Sequence, residues 1–211
     1  MYREEAVACC SKRSGRKRTA WPEGDRRMPE KVLIENCSPT LAGIKPASLV
    51  SLRYESREQA NEDIRKMNRE IFVAKGLCAV PLRYSKDSVL LLIYRPAALE
   101  KRLADGRVRE YLEQYGYVCS SIARCISKLS ERICECSEFP HEIGIFLGYP
   151  LGDVIGFTQH RDTGCKCTGY WKVYGDEVSA QRTFARYRAC TACYLRSWRK
   201  GASMDSLTVR L

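Results

Sequence analysis

From Glu30 onward, apolar residues recur with either helical or alternating period, and these patterns divide the chain into elements. A short helix fits residues 30 to 36 and ends before Ser38-Pro39, because the residue ahead of a proline is pushed out of helical conformation. Ala47 to Tyr54 alternates as a strand. Ser56 and Gln59 then form a capping box for a helix whose stripe is Ala60, Ile64, Met67 and Ile71, closed by Gly76. Leu77 to Tyr84 and Ser88 to Arg95 predict a hairpin about Ser85-Lys86-Asp87. Val89 to Ile93 is apolar without alternation, so this strand is expected in the middle of a sheet, covered on both faces.

Pro96 suits the first turn of a helix, and a second stripe, Val108, Tyr111, Leu112 and Tyr115, stops at Gly116. Ser120 or Ser121 caps a third helix with Ile122, Ile126, Leu129 and Ile133 on one side. Beyond it, Tyr170 to Tyr174 reads as a short strand. Gly175-Asp176-Glu177 starts a long last helix with Ala180, Phe184, Tyr187, Leu195 and Trp198 inward, and Leu207 to Leu211 suits an edge strand. The sum is one α+β domain over residues 28–211, a small mixed sheet of about four strands packed with several helices. Residues 1–27 lack apolar periodicity and are expected to be a flexible basic extension.

The stretch Phe139 to Phe157 breaks these rules. Gly144, Gly148, Gly152 and Gly156 recur at helical spacing, and each costs about 1 kcal/mol against alanine inside a helix. Pro150 cannot stand in a helix interior, so two short helices are expected, roughly 140 to 148 and 150 to 159, hinged at Tyr149. Close approach should offset the glycines, either by other parts of the protein or by a flat ligand.

Charge and cysteine content narrow the chemistry. The net charge is +11, which makes acidic partners worth considering, but the excess sits at the two ends. Lys12, Arg13, Arg16, Lys17 and Arg18 lie in the extension, and Arg182, Arg186, Arg188, Arg196, Arg199 and Lys200 near the C-terminus. The middle is nearly balanced and no surface interleaves aromatic with basic residues, so nucleic acid is disfavoured as a partner. No apolar run approaches the roughly 20 residues of a membrane span, and the N-terminus lacks a secretory core, so a cytosolic location is expected. In that compartment 12 cysteines point to reduced thiols, metal ligation or redox chemistry rather than disulfides. Cys165/Cys167 (Cys-x-Cys) and Cys190/Cys193 (Cys-x-x-Cys) are the candidate metal ligands, if the first pair folds over the last helix.

His141 and Glu142, in the first turn of a helix, are candidates for acid or base chemistry, but Ile145 stands where a His-Glu-x-x-His zinc motif needs its second histidine. The segment Cys37-Ser-Pro-Thr-Leu-Ala-Gly-Ile-Lys45 has the small residues, hydroxyls and single cation of an anion-wrapping loop, and equally those of a tight helix-to-strand connection. Arg95, at the end of its strand, would point from the sheet rim toward any pocket there.

Three sets of segments carry a resemblance: Cys37 to Lys45; Phe139-Pro-His-Glu-Ile-Gly with Phe146-Leu-Gly-Tyr-Pro150, Asp153-Val and Gly156-Phe157; and Gly169 with Trp171-Lys-Val-Tyr-Gly175. They are similar to an uncharacterised bacterial family, domain of unknown function 3793. The resemblance implies a small intracellular bacterial protein with no assigned activity, and it supplies no catalytic residues. The reading favoured by the residues is a binding module for a small anionic ligand or cofactor, held by Lys45, Arg95, His141, Trp171 and Lys172. The alternatives are an enzyme using His141 as acid or base, with Glu142 and Lys45 as further catalytic candidates, and a thiol or metal protein.

Overall fold

The apolar run Val89 to Ile93 forms the middle strand of the main sheet in the computed structural model, which describes residues 30–136, 138–161 and 163–211. The basic extension expected over residues 1–27 lies outside the described residues. Strands β1 (Ala47–Arg53) and β2 (Cys78–Tyr84) each pair antiparallel with β3 (Ser88–Tyr94), in the order β1-β3-β2. Alternate side chains of β3 enter different cores: Val89, Leu91 and Ile93 one, Leu90, Leu92 and Tyr94 the other. Pro81 is tolerated because β2 is an edge strand, and the register shifts between Pro81 and Arg83.

Helices α1 (Glu30–Leu41) and α2 (Arg57–Met67) cover the first face, with Leu33, Ile34, Ile64 and Phe72 buried against it. The second face carries α3 (Pro96–Leu103), α4 (Gly106–Glu113), α5 (Ile122–Glu135), α6 (Ile143–Phe146) and α7 (Leu151–His160). A two-stranded antiparallel ribbon, β4 (Cys167–Thr168) and β5 (Lys172–Val173), packs with the first half of α8 (Glu177–Arg199) around Trp171, Val173 and Phe184. The far half of α8 lies on α1, where Tyr194, Leu195 and Trp198 join the first core. The result is the expected α+β domain, with every strand among the described residues pairing antiparallel. No helix among the described residues is long and apolar enough to cross a membrane.

Three local departures from the sequence reading have physical causes. Helix α1 does not stop before Ser38-Pro39 but runs through Pro39 to Leu41. Burial of Leu33, Ile34, Cys37 and Leu41 along one side outweighs the hydrogen bond that proline removes. The helix then ends in a left-handed cap: Gly43 has φ +77°, its N–H donates to the Thr40 carbonyl (3.1 Å), and the Ile44 N–H donates to the Pro39 carbonyl (2.9 Å). The helix closed by Gly76 widens into a π turn at Asn68–Phe72. There the Asn68 amide exchanges two 2.8 Å hydrogen bonds with the main chain of Ala79 and so extends the ladder at the edge of β2. Lastly, Leu207 to Leu211 is a strap rather than an edge strand: the Val209 N–H donates to the Leu41 carbonyl at 3.0 Å.

One side chain ties these ends together. Arg95, only 2% exposed, donates through Nε to Thr40 O (2.8 Å) and through Nη1 to Lys75 O (3.2 Å). Its Nη2 donates to both Leu41 O (2.6 Å) and Val209 O (2.8 Å). Replacing Arg95 with methionine would leave the Lys75 and Val209 carbonyls without their donor and those of Thr40 and Leu41 with one donor each. Each unsatisfied group costs about 1–3 kcal/mol, so urea unfolding is expected to show a loss of about 3 kcal/mol or more. Lysine, which cannot fork between four acceptors, should restore little of it.

Candidate functional site

Helix α6 is only four residues long, and it ends as α1 does, with Gly148 at φ +82° and the Tyr149 N–H on the Gly144 carbonyl at 2.8 Å. Tyr149 is thereby turned out between the two short helices, as the hinge reading expects. The glycines around it do not make a platform for a foreign molecule. A Cβ on Gly144 would lie 2.8 Å from Val154 Cγ2, one on Gly148 2.6 Å from Pro46, and one on Gly156 2.6 Å from the Tyr174 ring. The protein fills those approaches itself, and Gly152 alone of the four has nothing near it.

What gathers around Tyr149 is a chain of rings and charges. Trp171 stacks on it (centroids 5.0 Å apart, 28° between planes) and meets Phe184 edge-on at 4.5 Å. The Lys45 ammonium lies 5.6 Å from the Tyr149 ring centroid and 6.0 Å from that of Tyr187, and the residue is only 8% exposed. Arg102 reaches in from α3, donating to Ile145 O (3.0 Å) and to Tyr149 O, while Arg186 donates to Ile44 O at 3.4 Å. Burial raises the Tyr187 pKa, against an opposing pull from Arg186 and, more weakly, Arg102. The Tyr187 residue is 5% exposed, and its hydroxyl makes no hydrogen bond among the described residues.

Asp153, in the first turn of α7, fixes this arrangement. Its buried carboxylate accepts from Trp171 Nε1 (2.7 Å) and from the N–H groups of Tyr174 and Gly175 (both 2.8 Å). One turn further along α7, Phe157 makes a second, smaller grouping. The His141 ring meets it edge-on at 4.9 Å, and the Lys172 ammonium stands 5.6 Å from its centroid. Arg161 pairs with Glu138 at 2.8 Å, and Glu138 lies 3.9 Å from His141. Burial, then the nearby Arg161, lowers the His141 pKa below its ordinary value.

The residues picked from sequence therefore separate into groups. Lys45 and Trp171 share the Tyr149 end, His141 and Lys172 share the Phe157 end, and α7 with β5 joins the two. Arg95 stands apart, its donors on main-chain carbonyls. Glu142 is internal: its carboxylate takes the Arg132 guanidinium and the Tyr117 hydroxyl (3.0 Å), which fastens α5 to the start of α6. Burial and that carboxylate push the Tyr117 pKa far up. The segment Cys37 to Lys45 does not wrap an anion, because Cys37, Ser38, Thr40 and Leu41 are buried in a helix end.

The four candidate metal cysteines do not converge. Cys167 lies beside Glu177 and Gln181 at the start of α8, while Cys190 follows nine residues later, about 14 Å along the axis. Burial, then Cys193, pushes the Cys190 thiol up to about 11, so it is protonated at neutral pH. Among the described residues no three His, Cys, Asp or Glu side chains are grouped to hold a metal ion. The sequence reading missed Arg102, Tyr187 and Asp153 as members of the site. Asp153 alone left a trace, as an acidic residue just inside a helix that begins after a proline.

Comparison with curated proteins finds no match, and comparison with solved structures finds none either. The family described as "Protein of unknown function (DUF3793)" matches residues 33–208, which include every segment that converges on Tyr149, and the chain belongs to that family.

Proposed function

We propose that this protein is a binding module for a small anionic ligand, held at Lys45 between Tyr149 and Tyr187. The observation that carries the reading is the buried ammonium set against two tyrosine rings, with Arg102 and Arg186 adding positive charge on the same side. Among the described residues, Asp105 caps α4 and Asp153 is occupied by three N–H donors. An anion there would meet charge-assisted donors in a partly desolvated setting, where they are strongest. The Trp171, Tyr149 and Phe184 rings already fill each other's approaches, which favours a compact anion over a planar cofactor. In this reading Arg95 supports the fold rather than the ligand, while His141 and Lys172 lie at the neighbouring end of α7.

Inorganic phosphate and pyrophosphate are suitable probes in calorimetry and thermal-shift titrations, with native mass spectrometry of the purified protein to detect a retained anion. Lys45→Met should weaken binding at least tenfold, and Tyr187→Phe several-fold, with Lys172→Met near wild type. Binding unchanged in Lys45→Met would contradict the reading.

A second reading, an enzyme with His141 as general base, is favoured by that ring's lowered pKa and by the cations around Phe157, which suit a developing negative charge. The same shift has a stability consequence. Below the ordinary value of 6.5 the unfolded chain takes up a proton that the native histidine resists. Stability is therefore expected to fall as pH drops through 6.5, and to level off below the native pKa. Urea unfolding at pH 7.5 and 5.5 should show this difference shrinking in His141→Gln; an equal difference in both proteins would remove the assignment.

A further inference from the structure

Helix α8 presents a second surface, which shares only Arg186 with the Tyr149 site. Its inner side is taken up by Ala180, Phe184 and Tyr187. Its outer side exposes Arg182, Arg186, Arg188, Arg196, Arg199 and Lys200. At 3.6 residues per turn, Arg182, Arg186, Arg196 and the C-cap Lys200 fall on one stripe, with Arg188 and Arg199 roughly a third of a turn round to one side. The helix's own acidic residue is Glu177, at its start. Among the described residues, the side chains of Arg182, Arg188, Arg196, Arg199 and Lys200 pair with no carboxylate and make no hydrogen bond, and Arg186 makes its 3.4 Å bond to Ile44 O.

Between Arg186 and Arg196 the stripe itself carries only the small residues Ala189 and Cys193, with Ala192 beside them. Long cationic side chains thus flank a low floor. Ten residues separate Arg186 from Arg196, about 15 Å along the axis. That span is close to a duplex groove, the major groove of B-form DNA being about 12 Å wide.

We propose that the outer face of α8 lies across a groove of double-stranded nucleic acid, with the cations at its two ends on the phosphates of opposite strands. None of the aromatic side chains of α8 is exposed, so the face lacks the stacking platforms that single strands use. Alanines cannot hydrogen-bond base edges, so the contact is to phosphates and is independent of sequence. The interleaved aromatic and basic surface that the sequence lacks serves single strands, and a duplex backbone does not require it. An acidic protein surface is the competing occupant.

Fluorescence anisotropy of the full chain with labelled 20-base-pair random duplexes of RNA and DNA tests this, with a random single strand and poly-glutamate as competitors. Duplex binding is expected to weaken steeply between about 50 and 200 mM salt. Arg182→Gln with Arg188→Gln, and separately Arg196→Gln with Lys200→Gln, should each weaken it about tenfold or more and lower the log–log salt slope by about two. Circular dichroism melts verify that these exposed variants fold. A variant with Lys12, Arg13, Arg16, Lys17 and Arg18 all changed to glutamine should keep the α8-dependent part of the slope. No binding at 50 mM salt, binding indifferent to both α8 variants, or preference for the single strand or poly-glutamate would each overturn the proposal.

Discussion

A buried guanidinium with no carboxylate partner among the described residues is the constraint on which this structure turns. Removing an arginine from water costs several kcal/mol unless its donors are met. Arg95 meets the requirement with the carbonyls of Thr40, Leu41, Lys75 and Val209, drawn from three separate parts of the chain. Two of these carbonyls lie in the last turn of α1, where the aligned peptide dipoles already present negative charge. The chain ends that converge there are the end of α1, the end of the helical segment closed by Gly76, and the C-terminal strap. Lys75 adds an outer tie by pairing with Asp205 of the strap at 2.7 Å.

Lys45 sits where it does because of the same junction. The left-handed cap at Gly43 turns the chain out of α1, the Lys45 N–H follows Ile44 onto the Pro39 carbonyl, and β1 begins two residues later. The cap thus delivers the ammonium to Tyr149, which an equivalent cap at Gly148 turns out to meet it. Asp153 holds the opposite wall by fixing the Trp171 indole and the start of the turn at Gly175. Two glycine caps and one buried carboxylate set the geometry of a candidate site whose walls are aromatic.

The sheet and most helices were legible because their signals are local. The run at Val89 to Ile93, the hairpin turn, the Ser121 and Asp176 caps and the glycine stops each act within a few residues. Pro39 misled because a breaker's effect depends on what the helix buries, and the burial of Leu41 is a tertiary fact. Gly148 and Gly156 share a spacing but serve different ends, one a positive φ and the other the approach of Tyr174, and spacing cannot separate these. The site was half legible. Lys45 and Trp171 stand out as types in unusual segments, whereas Tyr187 and Arg102 look like ordinary members of helical patterns until the fold brings them to Tyr149. Arg95 was noticed, but its carbonyl partners carry no sequence signature at all.

The most direct measurement of the junction's role is native-state hydrogen exchange, followed amide by amide at rising denaturant. If Arg95 binds the strap into the folding unit, the Val209 amide should exchange only through the global opening that releases Leu91 and Ile93 in β3, with the same free energy and denaturant dependence. Rapid exchange at Val209 through local fraying, while β3 stays protected, would contradict the account.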